Sequence, residues 1–130
     1  MREKIRATLA PVLQNIANES MGGHGLSLVA SGGTATSLAA LALGLDRYDA
    51  RQVQNYTLSQ AALRHLIARL AGLLPWERNA LPGLGEGRGE IIVAGAMILQ
   101  ELQQALASPS LLVSDAGLLE GILLSGAPGC

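Results

Sequence analysis

Residues 26–41 read Leu26-Ser27-Leu28-Val29-Ala30-Ser31-Gly32-Gly33-Thr34-Ala35-Thr36-Ser37-Leu38-Ala39-Ala40-Leu41. This order is typical of an apolar strand, a two-glycine turn and the opening of an alanine-rich helix. Such a corner can bring backbone N–H groups and a helix N-terminus up to a phosphate group. It supplies neither a nucleophile with a base nor a set of metal ligands, so it predicts a binding site rather than a catalytic one. A tight strand-to-helix connection without a ligand is the alternative interpretation.

The composition favours one aliphatic domain that covers residues 1–130. The chain has 130 residues, 49% of them hydrophobic, which is enough to bury a core. Aromatic residues make up 2% and phenylalanine is absent, so Leu, Ile, Val and Ala must fill that core. Recognition of nucleic acid by base stacking therefore has almost no side chains to use. The formal net charge of −1 also predicts no bulk attraction to nucleic acid or to a membrane.

Other features favour a cytoplasmic location. The charged segment Met1–Arg6 is not followed by the apolar region of a signal peptide. No run approaches the roughly 20 apolar residues that span a bilayer. The single cysteine, Cys130, has no partner for an internal disulfide, which fits a reducing compartment and a terminal thiol without a role.

Apolar spacing predicts two helices in the first third of the chain. The first runs from Glu3 to Ala17 and contains Pro11, so we expect either a kink there or a helix that starts near Ala10. The second follows the glycine corner and ends near Leu43. Gly44 is placed to cap it in a left-handed conformation.

The remaining elements follow from similar patterns. Val53–Leu58 alternates apolar and polar side chains, which predicts a strand near a sheet edge, and Ser59 is a suitable N-cap for the next helix. Gly95 inside a helix costs about 1 kcal/mol relative to Ala, so we expect a close approach of another element there. The other predicted elements are a helix through Leu63, Leu66, Ile67, Leu70 and Leu73 that Pro75 ends, a helical turn at Trp76–Ala80, a helix from Glu90 to Leu106 burying Ile91, Ile92, Gly95, Ile98, Leu99 and Leu102, a strand at Leu111–Ser114, a helix from Asp115 to Leu124 and a loose tail over 125–130.

Strands that alternate with helices indicate an α/β domain, helix-rich and with a small, mainly parallel sheet. Three short strands are few for covering so much apolar helix surface.

Familiar catalytic and metal-binding patterns are absent from the sequence. The glycine-rich loop Pro82–Gly87 follows no strand and precedes no Lys-Ser or Lys-Thr pair, so it is not a P-loop. His24 and His65 are the only histidines, and no Ser or Cys lies in a recognisable nucleophile context. The carboxylates and histidines are scattered. We therefore predict no catalytic residue and no metal ligand in this chain.

Four ordered blocks carry a resemblance to a known family. The sequence from about Ile5 to Leu124 resembles the exopolyphosphatase and guanosine pentaphosphate phosphatase family, within the superfamily of acetate kinase, sugar kinases, heat-shock chaperones and actin. The blocks are Val29–Leu41, Gly44–Asp49, Leu81–Leu84 with Gly87-Arg88 and Ile91–Ala96, and Leu112–Gly121.

The resemblance implies a partial ribonuclease H-like domain of the actin-like ATPase type, matching the later part of the family's second domain. Enzymes of this family strip terminal phosphate from polyphosphate, or hydrolyse pppGpp to ppGpp, with magnesium. Carried over to this chain, the resemblance implies a phosphate- or nucleotide-binding corner at Ser31, Gly32, Gly33 and Thr34. It also makes Arg88 the best single candidate for contacting an anion.

The sequence also departs from the family. It lacks the catalytic carboxylate and phosphate loop of the family's first domain, and the Asp-x-Gly-Gly-Gly-Ser loop that opens the second. Leu119 stands where the family often has Arg. We therefore expect a piece of a phosphohydrolase that is inactive alone.

The absence of the opening strands predicts an unpaired sheet edge and exposed apolar helix faces. We expect these surfaces to pair with a missing N-terminal half or with a second copy, making a dimer. The alternative is a non-catalytic module that binds polyphosphate or guanosine or adenosine phosphates, or that serves only oligomerisation.

Overall fold

Helices surround a three-stranded sheet in the computed structural model, which describes residues 1–19 and 26–126. Predictions that involve His24 or Cys130, or the tail beyond Gly126, lie outside the described residues. The elements are α1 (Arg2–Glu19), β1 (Val29–Ser31), α2 (Gly33–Leu43), α3 (Ala50–Val53), β2 (Thr57–Ser59), α4 (Gln60–Ala71), α5 (Pro75–Asn79), a 3₁₀ turn (Arg88–Glu90), α6 (Ile92–Ala105), β3 (Ser110–Ser114) and α7 (Leu118–Ser125).

The sheet has the order β1-β3-β2. Strand β1 runs parallel to β3, as predicted for strands joined by long crossovers, and Ser31 lies opposite Ser114. Strand β2 is an edge strand, also as predicted, but it pairs antiparallel to β3. The sheet is therefore mixed rather than mainly parallel. The physical reason is that the chain after α2 returns to the Ser114 end of the sheet before β2 begins, where the Asn55 N–H donates to the Val113 carbonyl at 2.9 Å.

The prediction of a strand over Val53–Leu58 is wrong for Val53–Tyr56. The Asp49 carboxylate caps α3 by accepting from the Arg51 N–H at 3.0 Å, so Val53 ends a short helix. Asn55 then has a φ of 64°, and the strand is only Thr57–Ser59. Ser59 caps α4 as predicted, accepting from the Ala62 N–H at 3.1 Å.

Helix α1 passes through Pro11 without a break, so the predicted start near Ala10 is wrong. Proline removes the hydrogen bond to the carbonyl of Ala7, and both residues are exposed, so water can satisfy that carbonyl. No residue of α1 is buried. Polar contacts also fasten the helix to α6, since Arg6 Nε lies 2.6 Å from Glu101 Oε2 and Arg2 donates to Gln100 at 2.9 Å.

Helix α6 packs between α4 and α1. The predicted close approach at Gly95 is confirmed, because a Cβ there would lie 2.6 Å from Thr34 Cγ2. The predicted buried face is wrong in part: Ile91 and Ile98 are exposed, whereas Gln100, Glu101 and Gln103 are buried. Gln100 and Glu101 accept from arginines of α1. Gln103 Nε2 donates to the Leu58 carbonyl at 3.1 Å, whereas Gln103 Oε1 has no hydrogen-bond partner among the described residues.

Aliphatic side chains fill the core, as the composition predicted. The large, fully buried ones include Leu38, Leu58, Leu63, Leu70, Leu84, Ile92, Leu111 and Val113. Gly44 ends α2 in the left-handed conformation, as predicted, with a φ of 69°. Helix α7 begins at Leu118, not Asp115, and none of its residues is buried. None of the described helices is both long and apolar enough to cross a membrane.

Candidate anion-binding cleft

The glycine corner leaves the N-terminus of α2 open. Gly32 has a φ of 96°, a conformation that side chains disfavour, and it turns the chain from β1 directly into the helix. The first helical hydrogen bond runs from the Thr36 N–H to the Gly32 carbonyl, at 3.1 Å. No side chain caps the helix. Within the described part of the chain, the N–H groups of residues 33–35 therefore have no partner, and they carry the partial positive charge of the helix.

A cleft of about 650 Å³ lies at this corner. It sits where the parallel strands β1 and β3 end side by side, an edge where α/β proteins often bind ligands. Each of the four sequence blocks that carry the family resemblance contributes to its wall. The lining residues are Gly32, Gly33, Thr36, Asp46, Arg47, Tyr48, Gly83, Gly85, Arg88, Asp115 and Gly117.

Arg88 is half-buried in the wall of this cleft. Its Nη1 donates to the Gly33 carbonyl at 3.1 Å and to Ser37 Oγ at 2.6 Å. Among the described residues no carboxylate lies within 4.0 Å of its guanidinium, since the ion pairs there involve Arg2 and Arg6. A half-buried cation without a counterion favours a bound anion.

A clamp between α5 and the 3₁₀ turn sets the position of Arg88. Asn79 Oδ1 accepts from the Gly89 N–H at 2.8 Å, and Arg78 donates to the Gly89 carbonyl at 2.8 Å. The Arg78 Nε also donates to the Leu70 carbonyl at 2.8 Å, which ties the turn to α4. A Cβ on Gly89 would lie 2.5 Å from the Pro75 carbonyl oxygen, so this approach requires glycine.

The opposite wall holds Tyr48 and Asp115. The Tyr48 hydroxyl donates to Asp115 Oδ1, and the Asp115 N–H donates to Gln54 Oε1 at 2.6 Å. Burial, followed by the hydrogen bond to Asp115, raises the pKa of Tyr48 above its usual value, although Thr36 and the Arg88 charge oppose this. The cleft therefore carries two arginines and two aspartates, and an anion must be recognised by local geometry rather than by net charge.

The structure brings together three of the five predicted binding residues, namely Gly32, Gly33 and Arg88. The Thr34 side chain packs against Gly95 of α6 instead of lining the cleft. Ser31 is exposed at the end of β1, opposite Ser114, and does not line the cleft either.

Sequence reasoning overlooked the other polar wall residues: Thr36, Asp46, Arg47, Tyr48 and Asp115. All five lie inside the sequence blocks that carry the family resemblance, and their place in those blocks could have identified them as candidate site residues.

The described residues do not fit a magnesium site by themselves. No group of three or more His, Cys, Asp or Glu side chains lies close enough to hold a metal in the described ranges. Magnesium can be held by one or two carboxylates together with substrate phosphates, and the cleft offers two carboxylates, Asp46 and Asp115, of which Asp115 also accepts a hydrogen bond from Tyr48.

Comparisons with known proteins agree with the resemblance. The sequence model of the Ppx/GppA phosphatase family matches residues 1–129. The chain is 32% identical to Exopolyphosphatase 2 of Mycobacterium tuberculosis in a 128-residue alignment that covers 95% of this chain and 39% of that protein.

Solved structures give the same picture. A crystal structure of the Aquifex aeolicus member of the Ppx/GppA family superposes with a TM-score of 0.79 at 26% identity, covering 95% of this chain and 39% of that one. The crystal structure of an exopolyphosphatase from Cytophaga hutchinsonii superposes with a TM-score of 0.76 at 21% identity, covering 95% of this chain and 40% of that one. At this identity the likeness shows the fold alone. The predicted class, part of an actin-like α/β fold, is confirmed. The chain spans about 39% of the length of these relatives, and it belongs to the Ppx/GppA phosphatase family.

Proposed function

We propose that this chain forms the anion-binding wall of an exopolyphosphatase or pppGpp phosphohydrolase that releases terminal phosphate. The observation that carries the proposal is that the open α2 N-terminus and Arg88, which has no carboxylate partner among the described residues, line the same cleft. The single cysteine of the sequence favours a reducing, cytoplasmic compartment.

Binding would use backbone groups as much as side chains. The N–H groups of Gly33 and Thr34 supply fixed partial charges, and Gly32 allows phosphate oxygens to approach the backbone. Thr34 then acts through its backbone, because its side chain is packed against Gly95. Arg88 adds a charge-assisted hydrogen bond, whereas Ser31, at the end of β1 and outside the cleft wall, is assigned no contact with the anion. Polyphosphate, guanosine phosphates and adenosine phosphates all present the oxygens that such a wall recognises.

Hydrolysis would need groups beyond those found in the cleft. We propose that another polypeptide segment supplies the general-base carboxylate and protein ligands for magnesium, and that the phosphate oxygens of the substrate complete the magnesium site. The described residues contain no group of three side chains that could hold a metal ion. We therefore expect the 130-residue chain to bind phosphate chains without releasing phosphate.

Calorimetric titration with tripolyphosphate, pppGpp and ATP tests the binding. The Arg88→Ala variant should lose about tenfold or more in affinity, since a charge-assisted hydrogen bond disappears. Arg64→Ala is the matched control, because Arg64 is an exposed arginine of α4 away from the cleft. Absence of heat with all three ligands at millimolar concentration would contradict the proposal.

A phosphate-release assay on long-chain polyphosphate tests the second part. We expect no release by the wild-type chain. Release that the Arg88→Ala variant abolishes would mean that the chain is itself an enzyme.

An oligomerisation module is the second candidate function, because α7 presents an exposed apolar surface. Its five leucine and isoleucine side chains are 56–79% exposed. The partner would be a second copy or the part of the family's enzymes that this chain does not span.

A further inference from the structure

Arg88 is held so that only one edge of its guanidinium remains free. Its Nη1 is occupied by the Gly33 carbonyl and by Ser37 Oγ. Neither Nε nor Nη2 has a hydrogen-bond partner among the residues that the structure describes. These two groups form one edge of the planar fork, the geometry that binds two oxygens of a phosphate at once.

Ser37 determines this orientation. The residue is fully buried on α2, one turn after the glycine corner. Its hydroxyl donates to the Leu84 carbonyl at 2.9 Å. Because the hydroxyl donates its single proton to that carbonyl, its oxygen can only accept further hydrogen bonds, and it accepts one from Arg88 Nη1. The hydroxyl thus links the glycine-rich loop, α2 and the arginine.

Gly33 provides the space that this arrangement requires. A Cβ at this position would lie 2.7 Å from Cζ and from Nη2 of Arg88, and 3.1 Å from Nε. The free edge therefore lies directly beside the first residue of α2, where the unpartnered N–H groups are found.

We propose that Ser37 is a positioning residue, which fixes the Nε–Nη2 edge of Arg88 next to the α2 N-terminus for two-point binding of a phosphoryl group. This inference rests on the proposed function, because it assigns the means by which the same cleft binds phosphate. Ser37 touches no ligand itself and acts only through Arg88.

The test is a double-mutant cycle with tripolyphosphate as the probe in calorimetric titration. Ser37→Ala should weaken binding by about tenfold, because the guanidinium loses its anchor. In an Arg88→Ala background the same change should have no further effect. Ser108→Ala is the matched control, since Ser108 is a buried serine whose hydroxyl donates to the Ser110 carbonyl, outside the cleft; its affinity should equal that of the wild type.

Two outcomes overturn the inference while leaving the proposed function intact. One is wild-type affinity in Ser37→Ala while Arg88→Ala binds weakly. The other is an equal loss from Ser37→Ala with and without Arg88, which would indicate a general structural effect. If the wild-type chain fails to bind tripolyphosphate, the proposed function fails as well.

A second variant decides the question if Ser37→Ala does not fold, as judged by circular dichroism. Gly33→Ala keeps the backbone N–H and displaces the end of a flexible side chain, so the chain should still fold. We expect the same loss of affinity, absent in the Arg88→Ala background. Wild-type affinity in Gly33→Ala would overturn the inference.

A measurement without ligand separates the two claims further. In the free protein, NMR should show restricted rotation of the Arg88 guanidinium, which Ser37→Ala releases. Unrestricted rotation in the wild type would contradict the positioning role, whatever the protein binds.

Discussion

Tyr48 offers a direct probe of the cleft. Its pKa is raised above the ordinary value of 10.0, first by burial and then by its hydrogen bond to Asp115. A group whose pKa rises on folding contributes stability that is present below the unfolded pKa and lost as pH climbs through the folded pKa. We therefore expect the free energy of unfolding to fall once the pH passes the ordinary tyrosine range.

The titration of Tyr48 can be followed by tyrosinate absorbance. The chain has two tyrosines, so the Tyr56→Phe variant isolates Tyr48. Its midpoint should lie above 10.0, and Asp115→Asn should lower it, because the charge and the hydrogen-bond acceptor for the neutral hydroxyl are both weakened. A midpoint that Asp115→Asn leaves unchanged would contradict this assignment.

The role of an individual residue could be predicted only where it depends on the residue type and on the neighbouring residues in the sequence. Gly32 and Gly33 were found because a strand, a glycine pair and a helix follow one another in sequence. Thr34 was assigned to the site with them, yet helix geometry turns its side chain toward Gly95. Tyr48 and Asp115 are 67 positions apart; only the tertiary fold joins them.

At the scale of elements, the contact between α2 and α6 depends on Gly95. A methyl group there would lie 2.6 Å from Thr34 Cγ2 and 2.8 Å from Thr34 Oγ1. Overpacking of this kind outweighs the helix propensity that alanine gains, so Gly95→Ala should destabilise the protein by about 1–2 kcal/mol. Chemical denaturation measures the difference.

Two further variants make that experiment specific. Thr34→Ala should restore part of the stability that Gly95→Ala removes, because the clashing atoms are gone. Gly121→Ala is the control: this glycine lies in exposed α7, and a Cβ there meets nothing within 4 Å. Equal destabilisation by both alanine substitutions would rule out the close contact as the cause.

Elements were predictable where a local signal and tertiary packing agree. Gly44 and Ser59 cap their helices in the structure because those residue types satisfy helix ends by themselves. The alternation of apolar and polar residues in Val53–Leu58 led to a wrong strand prediction, because Asp49 caps a short helix that the hydrophobic periodicity does not reveal. Pro11 misled as well, since an exposed helix tolerates the lost hydrogen bond. The direction of β2 depends on the path of the chain after α2, which no short pattern encodes.

For the whole molecule, the class of fold was predictable because four blocks in order specify far more than any one of them. The same blocks then meet in the structure, each lining part of one cleft. The exposed apolar surface was predictable too, since three short strands cannot cover so many helices.

The exposed face of α7 leads to a prediction about assembly. Its apolar side chains make up an exposed apolar patch on a helix without a buried residue: Leu118, Leu119, Ile122, Leu123 and Leu124. Burying apolar surface is favourable by about 25 cal/mol per Å², so such a patch drives association. We expect the chain to self-associate as its concentration rises, and Leu119→Glu to shift it toward the monomer in analytical ultracentrifugation.

Val12→Glu is the control for this experiment: at a 52% exposed position on α1, it should leave the association unchanged. A wild-type chain that stays monomeric at every concentration would exclude a second copy as the partner, and association that survives Leu119→Glu would place the interface elsewhere.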